Sequence, residues 1–453
     1  DAEQTEPCVA VISLGCAKNL VDTEVMCGDL VTHGFMLTDD LDLADILLVN
    51  TCCFIRDARE ESDREIRDAL AWKSEAPGRK VVAAGCLPQQ DVGAARGAYP
   101  GVDMFLGLDD VPAVASRLET LLARSPGPGV GPMPPSTYLY DHRSPRVQLT
   151  PASYAYVKIA EGCDHGCRFC TIPGIRGRQR SRSVDSVVEE CRMLLASGVH
   201  EINLIAQDTT AYGRDRQDGT SLPGLVQALE ALEDDFWLRI LYAHPRHVSE
   251  ELLDCFADAR HLVPYVDIPL QHINDRLLRS MGRGMGGENT RALMARLRER
   301  VPDIAVRTTF LVGYPGETES DVDELAAYMT AFEFDRLGVF AFSPEKGTPA
   351  AALTEQFVPA DVAAGRQRRL LEIQRSISEK KNRQLIGRRL PVLVEGPGDG
   401  DNGELIGRTY ADAPDVDNLV HIQSPPRDGV AGIVDVEIEG AAAYDLTGRV
   451  RQN

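Results

Sequence analysis

Between residues 154 and 342, six short runs of β-branched and aromatic residues alternate with stretches of helical period, and nothing else in the chain constrains its fold as tightly. The runs lie near 154 to 160, 201 to 206, 237 to 242, 264 to 269, 305 to 312 and 337 to 342. Parallel strands need connections long enough to hold a helix, so this rhythm predicts a parallel sheet covered by helices. Six such units fall short of a full α/β barrel, and a partial or open (β/α)6 barrel is expected.

A shorter version of the same rhythm comes first. CVAVISLG (8–15), ADILLVNT (44–51) and KVVAAG (80–85) alternate with helical periods at 55–75 and 111–123, which predicts an N-terminal parallel α/β domain. SPGPGVGPMPP (125–135) holds too much proline and glycine to pack and reads as a linker. After a polar helical run at 361–386, the pieces PVLVEG, GELIGRTY, NLVHIQ and AGIVDVEIEG lose helical period and are separated by Gly, Pro and Asp. They predict a small antiparallel β-barrel. The expected class is α/β, with domains at 7–124 and 151–386, the latter with its trailing helix, a Pro/Gly-rich linker and lead-in at 125–150 and a barrel at 387–453; 453 residues exceed what one core serves.

No apolar run approaches a membrane span, and the opening DAEQTEPCVAVISLG lacks the layout of a signal peptide, so a soluble, cytoplasmic protein is expected. In that compartment eleven cysteines, an odd number, argue for metal or redox chemistry over disulfides. A net charge of -21 repels a phosphate backbone unless a basic patch compensates.

Three of the cysteines stand in EGCDHGCRFCTIP, at 163, 167 and 170. A structural zinc site wants four ligands, and only His165 lies within the stretch to supply one. Cubane iron–sulfur clusters are also usually held by four cysteines. Three leave one iron open to another ligand. The stretch resembles the radical S-adenosylmethionine (SAM) superfamily, whose CxxxCxxC loop follows the first barrel strand, as Cys163, Cys167 and Cys170 follow 154–160. The resemblance implies that SAM chelates the open iron of a 4Fe-4S cluster and is cleaved to a 5'-deoxyadenosyl radical, chemistry that acid–base side chains cannot supply. It also aligns Phe169 with an aromatic packed near the adenine; core packing is the other reading.

Ligand groups in α/β barrels gather at the carboxyl ends of the strands. Gln207, Asp208, Arg239, His244, Gln271, His272 and the GYPGE beginning at Gly313 are candidates to hold the cofactor, and each also suits loop hydrogen bonding or capping. Arg176, Arg178, Arg180 and Arg182 form a basic cluster that suits neutralising a carboxylate of cofactor or substrate, or plain surface charge.

Cys16, Cys52 and Cys86 each follow a predicted N-terminal strand, in SLGCAKN, VNTCCF and AAGCLP. Adjacent parallel strands bring such positions to one edge of a sheet. A second three-cysteine 4Fe-4S cluster is the economical inference, the alternative being that buried cysteines act as small hydrophobes. The latter suits Cys8, Cys27, Cys191 and Cys255. Cys53 adjoins a candidate ligand and is read as packing.

With both trios in view, the chain from about residue 8 to its end resembles the methylthiotransferases, which join a three-cysteine N-terminal domain, a radical SAM barrel and a TRAM domain. SLGCAKNLVDTE (13–24), IAQDTTAYG (205–213) and PLQHINDRLL (269–278) are similar to the RimO type, which modifies a ribosomal protein, rather than the MiaB type, which modifies transfer RNA. Cys53 departs from that pattern, where glycine is usual, and leaves an exchange of roles between Cys52 and Cys53 open; Cys52 completes the family's NTC. The resemblance implies two 4Fe-4S clusters and two uses of SAM: the radical removes hydrogen from the β-carbon of one aspartate in small-subunit ribosomal protein twelve, and a methylthio group held at the second cluster joins that carbon. An electron donor such as a flavodoxin-type protein is implied; the sulfur source is not indicated.

Residues 388–453 carry twelve acidic and six basic side chains, which suits docking to a basic ribosomal protein better than RNA. Against this, Arg366, Arg368, Arg369, Arg375, Lys380, Lys381 and Arg383 make one helix basic, either as an RNA contact or as a solvated face. The competing functions are a transfer-RNA methylthiotransferase and a non-catalytic iron–sulfur carrier.

Overall fold

The computed structural model describes residues 6–123, 132–398, 403–423 and 431–451. The chain forms two compact units. The first comprises Asp1–Leu149 together with Ala160–His165 and Cys170–Arg182; the second comprises Thr150–Ile159, Gly166–Phe169 and Ser183–Asn453. Most of the predicted linker, 125–131, lies outside the described residues.

In the first unit, strands β1 (Cys8–Ser13), β2 (Met36–Thr38), β3 (Ile46–Thr51), β4 (Lys80–Gly85) and β5 (Met104–Leu106) form a sheet in the order β2-β1-β3-β4-β5. Every pairing is parallel. The central strand, ILLVNT, is buried along its whole length because helices cover both faces. Helix Arg56–Glu75 turns Ser62, Ile66, Ala69 and Trp72 inward at helical spacing, and Leu47, Val49, Val81 and Ala83 meet that face. The three long strands match the predicted runs. The two outer strands have only three residues each, too short to show a period.

Described residues 132–149 are bound to this unit rather than loose. Asp109 accepts from Ser136 Oγ at 2.6 Å and from the backbone N–H groups of Thr137 and Tyr138. Arg146 pairs with the buried Glu24.

The second unit begins with β6 (Tyr154–Lys158). The chain next makes a two-residue ribbon of the first unit, β7 (Ala160–Glu161) with β8 (Arg180–Ser181). It then adds β9 (Glu201–Ile205), β10 (Trp237–Ile240), β11 (Leu262–Asp267), β12 (Ala305–Val312) and β13 (Arg336–Ala341). These give an open parallel sheet in the order β13-β12-β11-β10-β9-β6, as the six runs predicted.

Strands β14 (Arg389–Pro397), β15 (Leu405–Thr409), β16 (Val420–Ile422), β17 (Gly432–Ala441) and β18 (Leu446–Val450) close into a barrel around Val392, Val394, Val420, Ile422, Val436, Ile438 and Leu446. Four of its pairings are antiparallel, as expected for the barrel, and β16 with β18 is parallel, which was not.

Within this unit, the barrel's 408–417 region meets the amino-terminal parts of the sheet strands through buried charge. Glu201 takes Arg239 Nε at 2.7 Å and also Arg408, which in turn reaches Glu395. Arg336 pairs with Asp412 and Arg307 with Asp417. Asp415 receives the hydroxyls of Tyr154 and Tyr156. Much of the acidic excess read from composition is therefore spent internally. The basic helix, Ala360–Arg383, is likewise neither a bare nor a merely solvated face. Arg366 pairs with Glu317 and Glu319, Arg369 with Glu319 and Asp323, Lys380 with Glu333, and Lys381 with Asp335.

Candidate functional site

Strand ends define the first trio. Cys16 follows β1 and caps helix Ala17–Thr32, Cys52 follows β3, and Cys86 follows β4 and starts helix Cys86–Ala98. Since β1, β3 and β4 are neighbours, the three positions share the carboxyl edge of one sheet. Gly15 has φ +90°, and a Cβ there would lie 2.6 Å from Cys52 Cβ and 2.8 Å from its Sγ. Gly85, φ +94°, leaves no room beside Asn50 Oδ1, 2.2 Å from where a Cβ would sit. The glycines preceding Cys16 and Cys86 thus allow the strand ends to close on one another. Ser62 fixes the turn at Cys52 by accepting from its N–H and donating to its C=O.

The thiols sense one another. Burial, then the neighbouring Cys86 and Cys16, push the Cys52 thiol up to about 12. Cys86 is raised by burial, with Arg176 working in the opposite sense. Cys16 keeps solvent access; dehydration by surrounding protein opposes its ionisation, but Lys18, Arg176 and backbone N–H groups prevail and lower it. Three thiols whose joint ionisation is penalised without added positive charge are a donor set suited to iron. Cys53 is fully buried beside Cys86, Leu108 and Ile175, in keeping with packing.

Residues 170–182 contribute to the same unit. Arg176 is 2% exposed and bonds Asp22 and Glu161 through Nη1 at 3.0 Å each, and Cys86 Sγ through Nη2 at 3.4 Å. Its carboxylate partners belong to the protein itself, and surface charge is the wrong description. Arg182 is buried over the Tyr140 ring and Arg180 donates to three carbonyls, leaving Arg178, paired with Asp164, as the exposed member.

Cys163, Cys167 and Cys170 are all half-buried. Cys163 N–H donates to Gly177 C=O at 3.0 Å, which ties the first of them to the first unit. In the second unit Arg168 exchanges backbone bonds with Met281 and Ala350, and Gly282, φ +73°, lets Gly166 C=O come close. Arg283 Nη1 donates to Cys167 Sγ at 3.5 Å. Phe169 packs against Leu277, Met281, Leu311, Tyr314 and Ala350.

At the carboxyl ends of the six-stranded sheet, Gln207 follows β9. Asp208 caps the turn Thr209–Ala211 and receives His247 Nδ1 at 2.8 Å. His244 accepts from the N–H of Arg246. Gly313, φ +73°, ends β12, with its N–H on Glu317 at 2.6 Å and Ala363 in the way of any Cβ. His272 lies buried 3.6 Å from Glu317. Arg239 stands elsewhere than expected: its side chain is fully buried, bound to Glu201 and to Tyr410 C=O and lying over the Tyr265 ring, so the C-terminal barrel and not the ligand end of the sheet claims it. Sequence reasoning missed Arg176 and Arg283 as sulfur donors; their only local signal was an arginine shortly after one cysteine loop and another in MGRGMGG.

Residues 157–329 match the radical SAM superfamily, which implies SAM and a 4Fe-4S cluster. Residues 8–107 match the uncharacterized protein family UPF0004 and residues 386–450 the TRAM domain. The ribosomal protein uS12 methylthiotransferase RimO of Syntrophotalea carbinolica is 45% identical over 445 residues, 98% of this chain and 96% of that protein. The proteins of the same name from Opitutus terrae and Trichlorobacter lovleyi are 43% and 42% identical; each alignment spans 97% of this chain, and they cover 95% and 97% of those proteins. Among solved structures, the radical SAM methyltransferase TsrM from Kitasatospora setae aligns with TM-score 0.56 and 18% identity over 76% of this chain and 77% of that one. The cobalamin-dependent radical enzyme OxsB aligns at 0.54 and 12%, over 78% and 55%. At those identities the likeness is one of fold alone. With three family matches in this order and curated relatives alike over nearly the whole length, the chain belongs to the RimO family of radical SAM methylthiotransferases.

Proposed function

We propose that this protein adds a methylthio group to the β-carbon of one aspartate of ribosomal protein uS12, using two 4Fe-4S clusters and SAM in the cytoplasm. The observation that carries the reading is the convergence of Cys16, Cys52 and Cys86 on one sheet edge, in addition to the CxxxCxxC loop. A radical SAM enzyme that only abstracts hydrogen has no use for a second trio. Cys163, Cys167 and Cys170 would hold one cluster and Cys16, Cys52 and Cys86 the other, each set lacking a fourth thiol. When bound, the clusters and SAM supply the radical and the sulfur that side chains cannot.

The chain's own residues do the remaining work. Gly15 and Gly85 admit the strand ends to one another, and Ser62 fixes the Cys52 backbone. Gly313 and Glu317 shape the loop after β12. The ion pairing of Arg366, Arg369, Lys380 and Lys381 weakens the basic stripe that a transfer-RNA substrate would want. A basic protein substrate finds the exposed Asp435 on β17, beside Glu437 and Glu439, which pair with Arg451 and Arg449. The electron is expected from a small flavodoxin-type protein.

The test is anaerobic incubation with SAM, a reductant, a sulfide source and uS12, followed by mass spectrometry of protein and of transfer RNA. A methylthio gain on one uS12 aspartate is expected. A gain confined to RNA, or no 5'-deoxyadenosine at all, overturns the proposal, the second outcome favouring an iron–sulfur carrier. Cys163→Ala, Cys167→Ala or Cys170→Ala should abolish SAM cleavage, whereas Cys16→Ala, Cys52→Ala or Cys86→Ala should spare cleavage and stop sulfur insertion.

A further inference from the structure

Each cysteine trio has one sulfur within hydrogen-bond reach of a buried guanidinium. Arg176 Nη2 lies 3.4 Å from Cys86 Sγ in the first unit, and Arg283 Nη1 lies 3.5 Å from Cys167 Sγ in the second. The two arginines, 2% and 7% exposed, differ in what balances them. Arg176 is held by two carboxylates, Asp22 and Glu161. Arg283 has no carboxylate within ion-pair distance among the described residues. Its Nη2 goes to the neutral Pro269 C=O at 2.7 Å, and its Nε finds no hydrogen-bond partner there. A buried, uncompensated guanidinium is costly, and a cluster-bound Cys167 sulfur would supply the counter-charge within its reach.

We infer that Arg176 and Arg283 are positioning residues that each donate to one sulfur ligand, Arg176 at the N-terminal cluster and Arg283 at the CxxxCxxC cluster, and so set the two reduction potentials independently. This rests on the two-cluster reading above. Hydrogen bonds and positive charge at cluster sulfurs favour the reduced, more negative state, so each donor raises the potential of its own cluster. Because Arg176 is offset by two carboxylates and Arg283 by none, removal of Arg283 produces the larger change. The arrangement also explains why an arginine only six residues beyond Cys170 serves Cys86: residues 170–182 fold into the compact unit of the N-terminal sheet.

The experiment is an anaerobic redox titration followed by electron paramagnetic resonance on reconstituted full-length protein, with iron and sulfide counted per chain. A Cys16→Ala/Cys52→Ala/Cys86→Ala protein supplies the spectrum of the loop cluster alone. Arg283→Met should move the midpoint of the loop cluster to more negative potential and leave the other unmoved. Arg176→Met combined with Asp22→Asn, which keeps the buried charge constant, should move only the N-terminal cluster, and by less. Arg176→Lys and Arg283→Lys keep the charge with a shorter reach and should lie between variant and wild type. Potentials unchanged in protein holding about eight irons overturn the inference while leaving the two-cluster reading intact. Wild type saturating at about four irons overturns that reading and the Arg176 half together, and the Arg283 half is still decided by its own shift.

Discussion

Arg239 donates its Nε to Oε1 of Glu201 at 2.7 Å, with both side chains fully buried. The other oxygen of that carboxylate takes Arg408 from the C-terminal barrel, so one acid holds two strands of the sheet and the barrel together. Removing Glu201 leaves the buried Arg239 without its carboxylate and Arg408 with Glu395 alone, and Glu201→Ala should cost about 3–5 kcal/mol, read from urea unfolding. Glu201→Gln should cost less, since it keeps one acceptor.

The same group predicts an acid response. Burial acts to raise the Glu201 carboxyl, but Arg408 and Arg239 outweigh it and hold it below the usual carboxylate range. A depressed folded-state value gives stability that is complete above the unfolded value, about 4.3, and lost as pH falls through the folded one. Barrel and sheet should stay joined in mild acid and part only below about pH 4. Trp237 is the β-sheet partner of Glu201, so its fluorescence in a Trp72→Phe background reports the opening. Glu201→Gln should remove this acid-dependent loss.

Gly15→Ala should disable the N-terminal trio without unfolding the chain. The new methyl group would overlap Cys52 Cβ and Sγ, at a backbone φ of +90° that alanine rarely adopts. Iron should fall by about four per chain while SAM cleavage persists. Retention of the full iron count would show that Cys52 need not stand where it does.

Cys53→Ala should keep full iron and full product, because the thiol is enclosed by Leu108, Ile175 and Cys86. The expected cost is about 1 kcal/mol of stability, measured by thermal unfolding. Loss of a cluster in Cys53→Ala with retention in Cys52→Ala would reverse the assignment of the pair.

Asp435→Lys with Glu439→Lys should raise KM for uS12 several-fold, leave kcat unchanged and flatten the salt dependence of binding. Both positions are exposed on β17, and Arg449 lies beside Glu439.

The strand ends bearing Cys16, Cys52 and Cys86 were legible because VAVIS, ILLVN and VVAAG announce buried parallel strands, and the cysteines stand where those runs stop. The role of Arg176 was not, since Asp22 lies 154 positions away and local charge pattern carries no trace of such a partner. The charge sum of the C-terminal barrel hides partners in the same way: Asp412 and Asp417 count as acidic surface there, yet they pair with Arg336 and Arg307 from the sheet. Strand β18 escaped notice because LTGRV is short and broken by glycine, and with it went the parallel pairing to β16. Arg239 looked like a ligand group because it stands near the end of its strand, but its partners Glu201 and Tyr410 lie 38 and 171 positions away and leave no local trace.

The side chains beneath Cys86 come from both sides of residue 150. Ile175 fills the space against Cys53 and Cys86, and Arg176 supplies the only cation bonded there to a sulfur among the described residues. A crossover between related genes at residue 150 would hand the offspring an N-terminal sheet with a foreign plug, and one after residue 182 would hand the second sheet a foreign first strand, so the two segments should be inherited together.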